Sequence, residues 1–296
     1  MNHDLKLLKS AYLRGENISQ LLKQNGLNTI ESIEYAYDLQ AGSYVRAVSA
    51  EPERFRDYTT EMADIISKYA KADDEIIDCG CGELTTLAAL SHKFPANVRL
   101  LAFDISVSRI MVGRRYARTV MRTDLAESLA PFVAAINRIP LPDRSVDIVL
   151  TSHALEPNHG EEKQLLSELI RICKRKLILF EPSWELGSSE ARTRMGSLGY
   201  VRELPIRIIE AGGVLSDVTL LTHSLNPLNP TAAYIIDPPK IDPQSLSGFY
   251  FVCPKSRERL NRYSGYYWSS EGGYAYPDIE GVPVLKESNA ILMCQR

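Results

Sequence analysis

The stretch Glu75 to Leu90 (EIIDCGCGELTTLAAL) restricts the architecture of this chain more tightly than any other. Ile76 and Ile77 lie in a short apolar run of the kind that forms a buried strand. The run ends on Asp78, Gly80 and Gly82 follow in alternation, and Leu84 to Leu90 has the composition of a helix. Strand, glycine turn and helix in succession place a ligand at the carboxyl edge of a parallel sheet. Glycine lets the backbone approach that ligand without a Cβ in the way, and the helix start offers free N–H groups.

Further apolar runs extend the alternation. Val98 to Phe103 reads as a second strand ending on Asp104, Phe132 to Ile136 as a third, Asp147 to Thr151 as a fourth and Lys176 to Phe180 as a fifth. Val214 to Thr222 and Thr231 to Ile236 supply two more. Helical stripes lie between them: Phe55, Tyr58, Met62, Ile65, Ile66 and Tyr69 on one segment, Leu165, Leu166, Leu169, Ile170 and Cys173 on another. Ser108 to Ala117 reads as a helix whose Arg109, Arg114 and Arg115 face solvent, and a further helix falls within residues 190–212. Strands alternating with helices predict an α/β fold with a parallel sheet.

Asp104 lies 22 residues beyond Gly82, close to the spacing of about 20 at which a carboxylate receives the ribose hydroxyls of an adenosine-bearing ligand. The position after Gly82 is Glu83, then Leu84, so the third glycine that makes room for a pyrophosphate is missing. That makes a nicotinamide enzyme the weakest reading.

The turn Asp78-Cys79-Gly80-Cys81-Gly82 resembles the first motif of class I S-adenosylmethionine (SAM)-dependent methyltransferases. Asn137 to Leu150 (NRIPLPDRSVDIVL) resembles the segment that precedes the fourth strand in methyltransferases of the type 11 kind. The resemblance implies a doubly wound, Rossmann-like sheet of seven strands in the order 3-2-1-4-5-7-6, the last antiparallel, with SAM as cofactor. It implies that Asp78, Gly80, Gly82 and Asp104 hold SAM. The acidic residue often found after the third strand is replaced by Ala135 or Ile136, which leaves adenine recognition to backbone groups or Asn137. Many relatives carry an N-terminal helical lid whose aromatic residue closes over SAM; Tyr37 and Tyr44 are the candidates, although both could be core packing. The expected domains are residues 1–45 as lid, 46–240 as catalytic domain and 245–296 as a small β-rich domain, after the proline-rich segment Asp237 to Pro243.

In that last region Cys253-Pro254-Lys255-Ser256 and the later Tyr276-Pro277-Asp278-Ile279-Glu280-Gly281-Val282-Pro283-Val284-Leu285 resemble the zinc-ribbon activator subunit of tRNA, rRNA and release-factor methyltransferases. Ser256 stands where the second cysteine of a CxxC pair belongs, so four ligands cannot be assembled. No metal is expected, and tyrosines (Tyr250, Tyr263, Tyr266, Tyr267, Tyr274, Tyr276), with Trp268, are expected to form the core instead.

Methyl transfer requires alignment of the acceptor and exclusion of water, and a hydroxyl acceptor also needs a base. His153 is the candidate, since an imidazole titrates near neutrality. Glu156 and Glu181, at the ends of the fourth and fifth strands, could bind a hydroxylated or cationic acceptor; all three could equally be scaffold. The linker His223 to Pro230, with two Asn-Pro steps, reads as a loop over the same face, or as a long turn. The formal net charge of −3 and the lack of a basic stripe weigh against RNA and toward a small-molecule or glycan acceptor. The activator resemblance points the other way, toward tRNA, rRNA or a translation protein. A SAM-binding module without catalysis is a further alternative. Five irregularly spaced cysteines, no apolar leader and no membrane-spanning stretch suggest a cytoplasmic protein. A homodimer is left open.

Overall fold

In the computed structural model, residues 5–16, 18, 21, 30–156, 160–240 and 248–295 are described. Asn25, Gly26, Asn158 and part of the proline-rich boundary lie outside the described residues. Helices α1 (Leu5–Leu13), α2 (Ile30–Leu39), α3 (Ser43–Ala50) and α4 (Pro52–Ile66) precede the first strand. Then come β1 (Glu75–Cys79), α5 (Thr85–Leu90), β2 (Arg99–Asp104), α6 (Val107–Val120), α7 (Thr123–Ser128), β3 (Ala130–Val133) and β4 (Val146–Ser152). They continue with α8 (Glu162–Ile172), β5 (Cys173–Pro182), α9 (Ser189–Leu198), α10 (Leu204–Glu210), β6 (Val214–Leu220) and β7 (Thr231–Asp237).

The seven strands form one sheet in the order β3-β2-β1-β4-β5-β7-β6. The first five strands run parallel, and β7 runs antiparallel to both of its neighbours. This is the expected doubly wound architecture. Strands β1, β2 and β4 are buried on both faces, as parallel strands covered by helices must be. One apolar layer (Ile77, Leu101, Val149, Leu177) meets α8, and the opposite layer (Ile76, Leu100, Ile148, Ile178) meets α4, α5 and α6. The inward stripe of α4 is Phe55, Tyr58, Met62 and Ile66, joined by Thr59 and Ala63.

Beyond shifts of one to three residues at other ends, the elements differ from the sequence reading in three places. The third strand ends at Val133, because the chain leaves the sheet there and turns at residues 136–138. The fifth strand begins at Cys173, directly after α8, and runs to Pro182. Residues 190–212 hold two helices, since Gly199 takes a left-handed φ of 66° and ends α9. Among the described residues no helix is long and apolar enough to cross a membrane.

A second sheet is built from β8 (Asn261–Tyr263), β9 (Tyr266–Ser269), β10 (Tyr274–Ile279), β11 (Val282–Pro283) and β12 (Ile291–Leu292). It closes the β3 edge of the main sheet: Val284 bridges Val133 in parallel, and Leu285 N donates to Val133 O at 2.7 Å. Covering an edge removes a row of unpaired backbone groups. Arg257 adds an ion pair to Glu168 on α8 at 3.0 Å, and buried Lys286 pairs with Glu34 on α2. The tyrosine core is only partly realised. Tyr276 is fully buried, its hydroxyl 3.3 Å from Cys253 Sγ, while the other tyrosines of this unit and Trp268 keep partial exposure. Phe249 and Phe251, also half-buried, pack on the core beside Tyr267 and Tyr274: Phe251 meets Phe132 of the main sheet edge-on at 5.1 Å and Tyr267 at 5.4 Å. Burying apolar surface against a sheet edge needs bulk more than hydroxyls.

Candidate functional site

The turn after β1 is held by two backbone bonds, since Gly80 N and Cys81 N both donate to Phe103 O on β2. Gly80 has φ 76° and Gly82 φ 53°, conformations costly for other residues. A Cβ on Gly80 would sit 2.5 Å from the Ala154 methyl, and one on Gly82 3.3 Å from the Tyr44 ring. Both glycines therefore let the turn pack closely on the elements facing it.

Beside the turn lies a cavity of about 610 Å³, within the roughly 300–1,000 Å³ common for small-molecule sites. Gly80, Gly82, Asp104, Asn137, Tyr37, Tyr44, His153 and Glu156 all line it. Asp104 offers its carboxylate at the end of β2 while accepting from Gly82 N at 3.0 Å and Ser106 N at 2.9 Å. Two oxygens with four lone-pair positions leave capacity for a further donor. Asp78 and Glu181 lie behind the wall rather than on it. Burial, with the charges of Asp104 and Glu181, pushes the Asp78 carboxyl up to about 7. Glu181 is also pushed up to about 7, chiefly by burial, with His153 and the Thr151 hydrogen bond working against it. Its oxygens accept from Thr151 Oγ1 at 2.8 Å, Ala154 N at 3.0 Å and Leu155 N at 3.2 Å, so Glu181 shapes the turn that presents His153 and Glu156.

His153 takes a left-handed φ of 54°. Its Nδ1 lies 3.1 Å from Glu156 Oε2, and its Nε2 lies 2.8 Å from Thr231 Oγ1. A carboxylate only accepts, so Nδ1 carries the proton, and in the neutral ring Nε2 accepts from the threonine hydroxyl. Burial alone would lower the imidazole pKa; the hydrogen bond and charge of Glu156, with Glu181, outweigh it and raise the value above the ordinary one.

Several residues of the site carried no sequence signal. Arg109, read as solvent-facing, is 2 % exposed. Its guanidinium lies 4.5 Å from the Tyr37 ring centroid and 4.4 Å from that of Tyr44, and its Nε donates to Tyr37 O. Stacking between two aromatic faces compensates a buried cation, and nothing in the spacing of four arginines on one helix distinguishes this one. Glu83, fully buried, accepts from Gly42 N and Val45 N, both at 2.9 Å, and so caps α3 from across the cavity. Asp38 accepts from Ser106 Oγ, Ser108 N and Ser108 Oγ. The helices α2 and α3 are thus tied over the glycine turn at three points. The asparagine-proline linker also faces the cavity through Leu225, Asn226 and Asn229, a placement its two Asn-Pro steps had suggested.

Comparison with known proteins bears on residues 76–176, which match the family model described as a methyltransferase domain. The chain is 25 % identical to an uncharacterized 37.1 kDa protein in transposon TN4556 of Streptomyces fradiae, over 53 % of its own length and 44 % of that protein. It therefore spans under half the length of this curated relative. A chain of the complex between the Haloferax volcanii Trm112 methyltransferase activator and a methyltransferase superposes with a TM-score of 0.51 at 18 % identity, covering 69 % of this chain and 98 % of that one. A SAM-dependent methyltransferase from Aquifex aeolicus gives 0.47 at 17 % identity, over 60 % and 88 %. The sheet is that of the methyltransferase fold, and residues 76–176 match a methyltransferase domain model.

Proposed function

We propose that this protein is a class I methyltransferase that uses S-adenosyl-L-methionine to methylate an oxygen or nitrogen of a small-molecule or glycan-type acceptor. One observation carries the reading. The glycine turn, the β2-terminal carboxylate of Asp104 and the His153–Glu156 pair at the end of β4 converge on a single cavity beneath two helices. The cavity suits SAM, because the glycine turn lines it with bare backbone and Asp104 retains acceptor capacity. Gly80, Gly82 and Asp104 would hold the nucleoside and amino-acid portions, Asn137 the adenine end, and Tyr37 and Tyr44 the covering side. Bound there, the cofactor supplies a methyl group already activated on a sulfonium.

The protein's own part is alignment and proton handling. Glu156 orients the His153 ring and raises its basicity, and the pair takes up the proton that the acceptor releases. Thr231 and Asn229 hold the imidazole and carboxylate in place. The latched helices line the cavity through Ile33, Tyr37, Tyr44, Ala47 and Val48, and a pocket of this size suits a small acceptor better than a folded RNA. We divide the chain into residues 1–45 as lid, 46–240 as catalytic domain and 245–296 as a bracing domain, and place it in the cytoplasm.

Calorimetry with S-adenosylhomocysteine (SAH) tests the cofactor assignment. One-to-one binding is expected, weakened at least about tenfold, or about 1.4 kcal/mol, by Asp104→Ala with the fold retained by circular dichroism but the melting temperature lowered, since Gly82 N and Ser106 N lose their acceptor. Absence of SAH binding, or binding of NADH in its place, would overturn it. Tritiated methyl incorporation from SAM into a cell extract, sorted into small molecules, protein and RNA, tests the acceptor class; label confined to RNA would reject the small-molecule reading.

A further inference from the structure

One charged side chain of the second sheet reaches the wall of the cavity. Lys286 lies three residues beyond β11 and is 6 % exposed, a depth that lysine almost never reaches unless it is paired. Its ammonium pairs with Glu34 on α2 and donates to Ile105 O at 3.4 Å. Ile105, next in the chain to Asp104, lines the cavity.

Covering the β3 edge does not account for this lysine. The bridge between Val133 and Val284 and the bond from Leu285 N to Val133 O already close that edge, and an ion pair withdrawn from water adds little net stability. A hydrogen-bonded pair does fix where its two carriers sit, and here the carriers are the second sheet and α2. Residues four apart on a helix share a face, which gives α2 two stripes. Glu34 and Asp38 form the anchored one: Glu34 takes Lys286, and Asp38 accepts from Ser106 Oγ at 2.8 Å and Ser108 N at 3.1 Å. Ile33 and Tyr37 form the neighbouring stripe, and both line the cavity. The later half of α2 is thus held from the start of α6, and the earlier half by a residue 252 positions away in sequence.

We propose that Lys286 is a positioning residue for the cofactor site: through Glu34 it seats α2 so that Ile33 and Tyr37 close the cavity over bound SAM. The inference rests on the methyltransferase reading above and adds a residue of the second sheet to its site. Without the tie the free protein spends less time with α2 seated, and apparent affinity falls in proportion to the fraction lost.

The test titrates the full chain with SAH by calorimetry, well below the melting transition. Lys286→Met keeps the length and removes the charge; it should weaken SAH about tenfold, the change expected if α2 is seated about one-tenth of the time. Glu34→Gln should weaken it by a similar factor, and the double variant by no more than the larger single loss, because two changes to one interaction are not additive. Leu260→Ala empties a buried position of the second sheet's unit; it should lower the melting temperature and leave SAH affinity unchanged. Hydrogen exchange of the ligand-free protein should quicken at residues 33–39 in Lys286→Met and not in Leu260→Ala. Thermal melts confirm that each variant is folded, and Glu34→Gln carries the test should Lys286→Met fail to fold. Unchanged SAH affinity in the folded single variants, additive losses in the double variant, or equal weakening in Leu260→Ala would overturn the proposal. A wild-type protein that binds no SAH would overturn the cofactor reading instead. The exchange comparison needs no ligand, and unaltered exchange in α2 would refute the anchoring by itself.

Discussion

Replacing Gly80 by alanine adds one methyl group at the closest approach between the glycine turn and the β4 end. Two costs follow from the geometry. A φ of 76° places the new residue in the left-handed region, which costs roughly 1–2 kcal/mol for a residue with a Cβ. The added carbon also lands 2.5 Å from the Ala154 methyl, well inside the roughly 3.5–4.0 Å at which carbons rest. Ala154 cannot rotate away, because its N–H is fixed to Glu181 at 3.0 Å. Relief must come from moving the 153–156 turn, an overpacking cost of roughly 1–3 kcal/mol. The sum is about 2–5 kcal/mol. Gly82→Ala is the internal control: its φ of 53° carries the same backbone cost, but its Cβ meets the Tyr44 ring at 3.3 Å, a side chain that need give only a few tenths of an ångström, and Arg109 Nη1 at an ordinary 3.6 Å. Urea denaturation followed by far-ultraviolet circular dichroism compares the two, with unchanged m-values required for the comparison. Gly80→Ala should be the less stable by about 1–3 kcal/mol, and it should disturb the His153–Glu156 pair. Equal stability within about 0.5 kcal/mol would refute the reasoning, since surface changes free of strain fall in that range.

Glu83→Gln keeps one acceptor but turns an amide toward the second backbone donor of α3; a loss of about 1.5–3 kcal/mol is expected, with weaker SAH binding and faster hydrogen exchange at Val45. Unchanged exchange there would remove Glu83 as the latch. His153→Ala should lower turnover on the eventual acceptor by at least about 100-fold while SAH affinity holds; equal turnover would reject the proton-handling role. Asp78 and Glu181, both raised to about 7 in the folded protein, bind protons more tightly there than in the unfolded chain. Their contribution to stability is thus complete below the unfolded carboxylate range and is lost as pH rises through about 7, each tenfold difference in proton affinity being worth about 1.4 kcal/mol. Urea midpoints of the ligand-free protein should fall from pH 5.5 to pH 8, and fall less in Asp78→Asn; parallel curves would exclude Asp78 as a source. Leu285→Ala empties a fully buried position at the β3 edge and should cost about 2–5 kcal/mol. A change below about 0.5 kcal/mol would mean that the second sheet does not brace the first.

What the linear order of residues determined here was periodicity and punctuation. Buried parallel strands must be apolar runs and amphipathic helices must carry stripes, so β1, β2, β4, β7 and most of the α4 and α8 faces were legible, although Tyr69 lies beyond α4 and Cys173 opens β5. The glycine turn and the acid 22 residues after it were legible for the same reason, because a ligand approached by backbone demands those types at that spacing. Tertiary structure alone decided the fates of Arg109, Glu83 and Asn229. An arginine on a polar helix face looks solvated until two tyrosines from helices some seventy residues earlier close on it. Glu83 breaks the pyrophosphate pattern, and only the fold shows that its carboxylate caps α3 instead. Asn229 is one of two asparagines in a proline-marked loop, and only the fold brings its amide to 3.4 Å from Glu156. Local pattern reports what a segment buries; which polar groups meet is set by chain crossings that no local pattern encodes.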